Sequence, residues 1–232
     1  MDVVMIPFLR RAVGACGLIL LAGCVTNSTQ EKQFAEALQT ARRGDPVAQR
    51  SVGQMCQAGH GVIKNYAEAA SWYLSAAEQG DPIAQFSLGS LYENGLGVAT
   101  NYDKAVEWYL RAADQRLVPA MYRLAYMHDV GLGLASDVAA AASWYRLTAQ
   151  QGHLESMIAL GLSYSQGAGV PHDLTQAYSW GEVARLSSEY CCTPQLQEKI
   201  QRFLFDLQKQ MTAEQIAEAK RMAAGEFEAH AQ

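Results

Sequence analysis

Three sets of side chains in this 232-residue chain have types and spacings that chemistry can use. Cys24 follows Leu21-Ala22-Gly23 at the end of a short apolar run, where a thiol is placed for covalent modification. Cys191 and Cys192 are adjacent, and Cys56 stands alone far upstream. Ser87, Ser90, Asn94, Arg123 and Tyr126 fall at related positions of a repeating pattern; the arginine suits a ligand carboxylate and the tyrosine can stack or hydrogen-bond. Catalytic signatures are missing. No serine has a lysine three residues later, and there is no Lys-Thr-Gly, His-Glu-x-x-His, Cys-x-x-Cys or Gly-x-Ser-x-Gly. Gly95-Leu96-Gly97 looks like a fragment of a phosphate loop, but it follows a helical pattern and recurs as a hinge. His60, His128, His153, His172 and His230 show no ligand spacing. The reading is no catalytic residue, no metal site and no cofactor.

The cysteines are constrained by geometry. Neighbouring Cα atoms are about 3.8 Å apart, whereas disulfides want about 4.4–6.8 Å, so a Cys191–Cys192 bond would be strained. Cys56 is too far along the pattern to pair with either, and it reads as a core residue.

Residues 1–23 read as an export signal. Arg10 and Arg11 supply the positive region, although Asp2 and the apolar residues before them are untidy and translation starting at Met5 is an alternative. Residues 12–22 form an apolar core too short to span a bilayer. Leu21-Ala22-Gly23-Cys24 resembles the lipobox of bacterial lipoproteins. That resemblance implies acylation of Cys24 and a membrane anchor facing the periplasm, with Val25 favouring the outer over the inner membrane. Several acyl chains hold a protein where one would not, since each buried CH₂ contributes roughly 0.8 kcal/mol. Without residues 1–23 the chain has 16 basic and 22 acidic residues, a net charge of −6. That balance disfavours nucleic acid, and it leaves the lipid anchor as the only membrane contact.

The elements that must position these residues come from a period of 36 residues. Trp72, Trp108, Trp144 and Trp180 keep that spacing, as do Gly59, Gly95, Gly131 and Gly167, and Gly61, Gly97, Gly133 and Gly169. A period of this size marks a solenoid. Each unit reads as two helices. In the second copy Asp81 is an N-cap, Pro82 suits the first turn and Gly95 ends the helix. The second helix starts behind an N-cap column of Asn65, Asn101, Asp137 and Asp173. The column Gly53, Gly89, Ala125, Gly161 implies close approach of another helix, and the tryptophans are expected to fill the wedge between units.

The pattern resembles the Sel-one-like repeat (SLR), a relative of the tetratricopeptide repeat. The resemblance lies in Ala84-Gln85-Phe86 with Leu88-Gly89, Leu91-Tyr92, Asn94-Gly95 with Gly97-Val98, and Ala105 to Tyr109 with Ala112-Ala113. It implies an all-α fold, an α/α solenoid built as a right-handed superhelix of four 36-residue helix-turn-helix repeats with helical caps. The repeats are 44–79, 80–115, 116–151 and 152–187. The third departs at Arg116-Leu117-Val118-Pro119 and the fourth at Gly181, where the others have tyrosine. Residues 24–43 read as a lipidated tether and N-terminal capping helix in the second-helix position of a missing unit. Residues 188–232 read as C-terminal capping helices, the last opened by the capping-box pattern Thr212-Ala213-Glu214-Gln215. The disulfide staples of one secreted SLR subgroup are missing.

On a helical wheel the first-helix columns 48, 52, 53, 55, 56 and 59 share an arc from about −20° to 140°. Columns 47, 50, 51, 54, 57 and 58 lie opposite and vary between copies. By the tetratricopeptide resemblance, this variable side lines a concave groove, with Ser87, Ser90, Asn94, Arg123 and Tyr126 at its middle. The expected function is a non-enzymatic scaffold in the cell envelope that binds a protein or peptide. The alternative is a hydrolase of cell wall or β-lactams, which the β-lactamase-like naming of some SLR proteins suggests.

Overall fold

We describe residues 29–188 and 193–230 of a computed structural model of the chain. Among them are eleven helices and no strand. Helix α1 spans 29–41. The repeats then supply α2 (Pro46–Ala58) with α3 (Tyr66–Glu78), α4 (Pro82–Asn94) with α5 (Tyr102–Asp114), α6 (Val118–Val130) with α7 (Val138–Ala149), and α8 (Leu154–Gln166) with α9 (Leu174–Ser188). Helices α10 (Pro194–Gln208) and α11 (Ala213–His230) follow, both packed on α9. Cys24 lies outside the described residues, as do Cys191 and Cys192.

Local signals place the helix starts. Asp45 and Asp81 accept backbone N–H groups from Ala48 and Ala84, and Asn65, Asn101, Asp137 and Asp173 cap the second helices in the same way. The third repeat lacks a side-chain cap at Leu117. It keeps the backbone path, because Arg116 adopts φ 62° where Gly44, Gly80 and Gly152 have φ 96°, 92° and 83°. A left-handed conformation costs a residue with a Cβ roughly 1–2 kcal/mol, so this turn is held by its surroundings.

Two glycine columns set helix spacing, the first between units and the second within each unit. Gly61, Gly97, Gly133 and Gly169 each lie against the backbone that opens the preceding second helix, at residues 30, 66, 102 and 138, and a Cβ there would run into that backbone. The first of these contacts is with α1. It falls in the same 36-residue register as the other three, so α1 occupies the place of a preceding second helix.

The second column is a notch. A Cβ on Gly53 would lie 2.7 Å from the Tyr73 ring, and one on Gly89 would lie 2.8 Å from the Tyr109 ring. Tyrosine therefore fills the deepest contact between paired helices. Tyr73, Tyr109 and Tyr145 are all buried, whereas Trp72 and Trp144 are only half-buried. Trp108 and Trp180 are buried as well. Trp108 packs into the core of the preceding repeat and Trp144 packs against the cores on both sides of it, so tryptophan sits between units, as expected, while tyrosine fills the contact within each unit. In the fourth repeat Gly181 replaces the tyrosine, and Phe203 from α10 brings its ring against both Gly161 and Gly181. The C-terminal cap thus restores from outside the period the ring that the last repeat lacks. It also covers Trp180, which is as buried as Trp108.

One buried polar column was not expected. The side-chain amides of Gln49 and Gln85 donate to the carbonyls of Ala41 and Ala77, tying each first helix to the end of the helix before it. Gln79 and Gln115 in turn donate to Gln49 and Gln85 at 2.7 and 2.9 Å.

Candidate functional site

The variable first-helix positions meet the second helices at three junctions between repeats. Each junction uses the same three columns: a residue near the end of a first helix, the notch tyrosine sixteen residues later, and a residue of the next first helix. The backbone frame repeats, and the chemistry does not.

At the first junction the Tyr73 hydroxyl donates to Gln57 Oε1 at 2.7 Å, with Ser87 beside it. Burial pushes the Tyr73 phenol up to about 12. Gln54, Gln57, Lys64, Tyr66, Tyr73 and Ser87 line an open cleft of about 450 Å³. This end of the surface is polar and neutral apart from Lys64.

At the second junction the Tyr109 hydroxyl donates to Glu93 Oε2 at 2.7 Å. Arg123 from the next repeat donates to the same carboxylate, through Nε to Oε2 at 3.2 Å and through Nη2 to Oε1. Glu93 keeps 8% of its side-chain surface exposed and Arg123 keeps 30%. The guanidinium also lies over the Tyr126 ring, 5.1 Å from its centroid. Burial first, then Glu93, raises the Tyr109 pKa well above the usual phenol range. Burial disfavours charge on Arg123, but the facing carboxylate outweighs it and the guanidinium stays protonated.

At the third junction the Tyr145 hydroxyl faces the Asp129 carboxylate, and its pKa is raised by burial first and then by that charge. Ala159 stands where the second junction has Arg123, and Leu162 stands where it has Tyr126. Asp129, Val130 and Leu162 are exposed. The Tyr122 ring packs between Tyr145 and His153, with centroids 5.9 and 4.7 Å away. His153 caps α8, accepting the Ser156 N–H at Nδ1, and burial lowers its pKa.

Of the residues expected in a groove, Ser87, Ser90, Arg123 and Tyr126 are half-buried and Asn94 is exposed. Ser87 donates to the Ile83 carbonyl, and the Asn94 amide donates to the Ser90 carbonyl, both at 2.8 Å. Arg123 is already occupied by Glu93. The sequence reading placed column 57 on this side but did not name its Glu93 and Asp129 among the residues at the middle of the groove. Their signal was available: column 57 is polar in every copy, as Gln57, Glu93, Asp129 and Ser165. Elsewhere, Cys56 is fully buried and free, and burial with nearby Glu68 raises its thiol to about 11. His128 is half-buried, with an unpartnered Nδ1. Among the described residues no group of His, Cys, Asp or Glu is placed to hold a metal ion, and no helix is long and apolar enough to cross a membrane.

A family model for the Sel1 repeat matches residues 46–81, 82–117, 118–153 and 154–184, more than half of the chain. The chain belongs to the Sel1-repeat family. Folds of this family typically serve as protein-interaction scaffolds. Among solved structures, this Sel1-repeat chain is similar to a Sel1 repeat protein from Oxalobacter formigenes, at 30% identity and TM-score 0.70, covering 89% of this chain and 84% of that one. It is also similar to c5321, a protective antigen of uropathogenic Escherichia coli strains with an SLR fold, at 28% identity and TM-score 0.65. That match covers 87% of this chain and 49% of the antigen, so the chain spans about half of the antigen's length. A comparison with curated proteins finds no match.

Proposed function

We propose that this chain is a non-enzymatic binding scaffold that is exported, anchored through acylated Cys24 to the periplasmic side of the outer membrane, and presents its first-helix surface as a concave groove to an envelope protein or peptide. The observation that carries the reading is the contrast at the three junctions. The notch tyrosine and its acceptor recur, while the residues beside them change from Ser87 and Ser90 to Arg123 and Tyr126 to Ala159 and Leu162. A surface that reads successive side chains of a ligand varies in this way over a constant frame, and solenoids of this kind use such extended surfaces for binding.

The anchor rests on Arg10-Arg11, the apolar run at 12–22 and Leu21-Ala22-Gly23-Cys24. Mass spectrometry of the mature N-terminus should find acyl chains on Cys24, and an unmodified Cys24 would refute the anchor. For binding, the full chain should recover a partner from envelope extract. Arg123→Ala is a poor test, because it strands the Glu93 carboxylate. Ser90→Trp and Tyr126→Ala change the surface without that penalty. Both should lose the partner, while Glu107→Ala on the second-helix side keeps it. Equal recovery by all would contradict the reading.

A further inference from the structure

In charge, the second and third junctions differ by one missing cation. At the second, a carboxylate that also accepts a tyrosine hydroxyl is paired with the guanidinium of Arg123, whose stem and charge rest on Tyr126. Moving each residue by one repeat gives Asp129, Tyr145, Ala159 and Leu162. The carboxylate and the tyrosine remain, and the arginine is cut back to a methyl group. Among the described residues Asp129 forms no ion pair, and it is exposed. Two arginines of the flanking elements are committed elsewhere: Arg123 to Glu93, and Arg146 to the Tyr164 hydroxyl at 2.8 Å. Glu155 adds a second exposed carboxylate on the first turn of α8, 3.5 Å from His153 Nε2, and burial lowers the His153 pKa.

We propose that the third junction is a socket for one basic side chain of a partner peptide, arginine in preference to lysine. The ligand guanidinium takes the place over Ala159 that Arg123 fills one repeat earlier. It pairs with Asp129, and its aliphatic stem lies on Leu162 and Val130. The protein's own second junction is thus the template for its ligand contact at the third. Arginine is preferred because the template pair is made by two nitrogens of a planar fork, which an ammonium cannot reproduce. The net charge of −6 after the export signal favours a basic partner segment at longer range. This inference rests on the scaffold reading and names its ligand chemistry.

The test uses the purified full chain and alanine-serine peptides carrying one central arginine, lysine or citrulline. Citrulline keeps the shape of arginine and removes its charge. Backbone NMR shifts are followed up to about 10 mM peptide. The arginine peptide should move signals around Asp129, Tyr145 and Leu162, the lysine peptide several-fold more weakly, and the citrulline peptide not at all. Asp129→Asn should weaken arginine binding roughly tenfold. Ala159→Arg should abolish it by supplying an internal guanidinium, and this variant should melt no lower than the parent, which separates occupation of the socket from misfolding. No arginine-dependent shift at Asp129, or a shift that Ala159→Arg leaves intact, overturns the socket. The scaffold reading is decided separately by partner recovery with Tyr126→Ala, which can succeed where the socket fails.

Discussion

The notch between Gly89 and Tyr109 predicts a change of sign that is simple to measure. Replacing a helical glycine with alanine normally stabilises by roughly 0.5–1 kcal/mol, since the unfolded chain loses freedom and the helix gains a side chain. At Gly89 the added Cβ would lie 2.8 and 2.9 Å from two Tyr109 ring atoms and 3.2 Å from the Ala105 carbonyl oxygen. The ring cannot withdraw, because Tyr109 is fully buried and its hydroxyl is bonded to Glu93. Overpacking of this kind costs about 1–3 kcal/mol, so Gly89→Ala should destabilise by a net of about 1–2 kcal/mol. Gly225 in α11 is the internal control: nothing lies within 4 Å of its Cβ position, and Gly225→Ala should stabilise by roughly 0.5–1 kcal/mol. In a Tyr109→Ala background, itself weakened by about 3–5 kcal/mol, Gly89→Ala should become stabilising as well. Urea unfolding followed by far-ultraviolet circular dichroism gives each value, compared at a common m-value. If Gly89→Ala stabilises as Gly225→Ala does, or if its effect keeps its sign without Tyr109, the ring-in-notch account of the repeat fails.

Two further predictions concern titration and access. Burial lowers the His153 pKa below its usual 6.5, so the folded chain favours the neutral ring that accepts the Ser156 N–H. The associated stability is present above the unfolded pKa and is lost as pH falls through the histidine range, when the unfolded chain binds the extra proton. The urea midpoint should therefore drop between pH 7.5 and 5.5, and His153→Asn, which keeps a capping acceptor, should show a smaller drop; equal drops would exclude His153 as the source. Cys56 is fully buried with its thiol raised to about 11. Iodoacetamide at pH 8 should leave the peptide containing it unmodified in the native chain and alkylate it in urea, as peptide mass mapping would show; native labelling would contradict its core position.

What was legible in the sequence were the features that repeat because the backbone requires them. Gly61, Gly97, Gly133 and Gly169 are spaced alike because each lies against the chain one repeat earlier, and the N-cap columns are spaced alike because each opens a helix. The capping box at Thr212 and Gln215 is present reciprocally, as its pattern implied. Contacts that leave the period were not legible. Phe203 reaches Gly161 and Gly181 from a helix with no repeat register, so nothing in the spacing pointed to it. The Glu93–Arg123 pair joins two repeats across thirty residues. Read along the chain, Arg123 looked like a free anchor; read across the junction, it is the partner of a carboxylate. Tryptophan was the more regular marker and tyrosine the deeper one, because a 36-residue spacing records identity and not depth.

The most direct test of the interaction surface is photocrosslinking in intact cells. The full chain would carry a photoreactive phenylalanine analogue at Ser90 or Leu162 on the first-helix side, or at Glu107 or Leu147 on the second-helix side. Glu107 and Leu147 are exposed on the second helices, so both sides are open to a partner. The scaffold account predicts a discrete protein adduct from positions 90 and 162 and none from 107 and 147. Adducts from 107 and 147 alone would place the partner on the opposite face and contradict it.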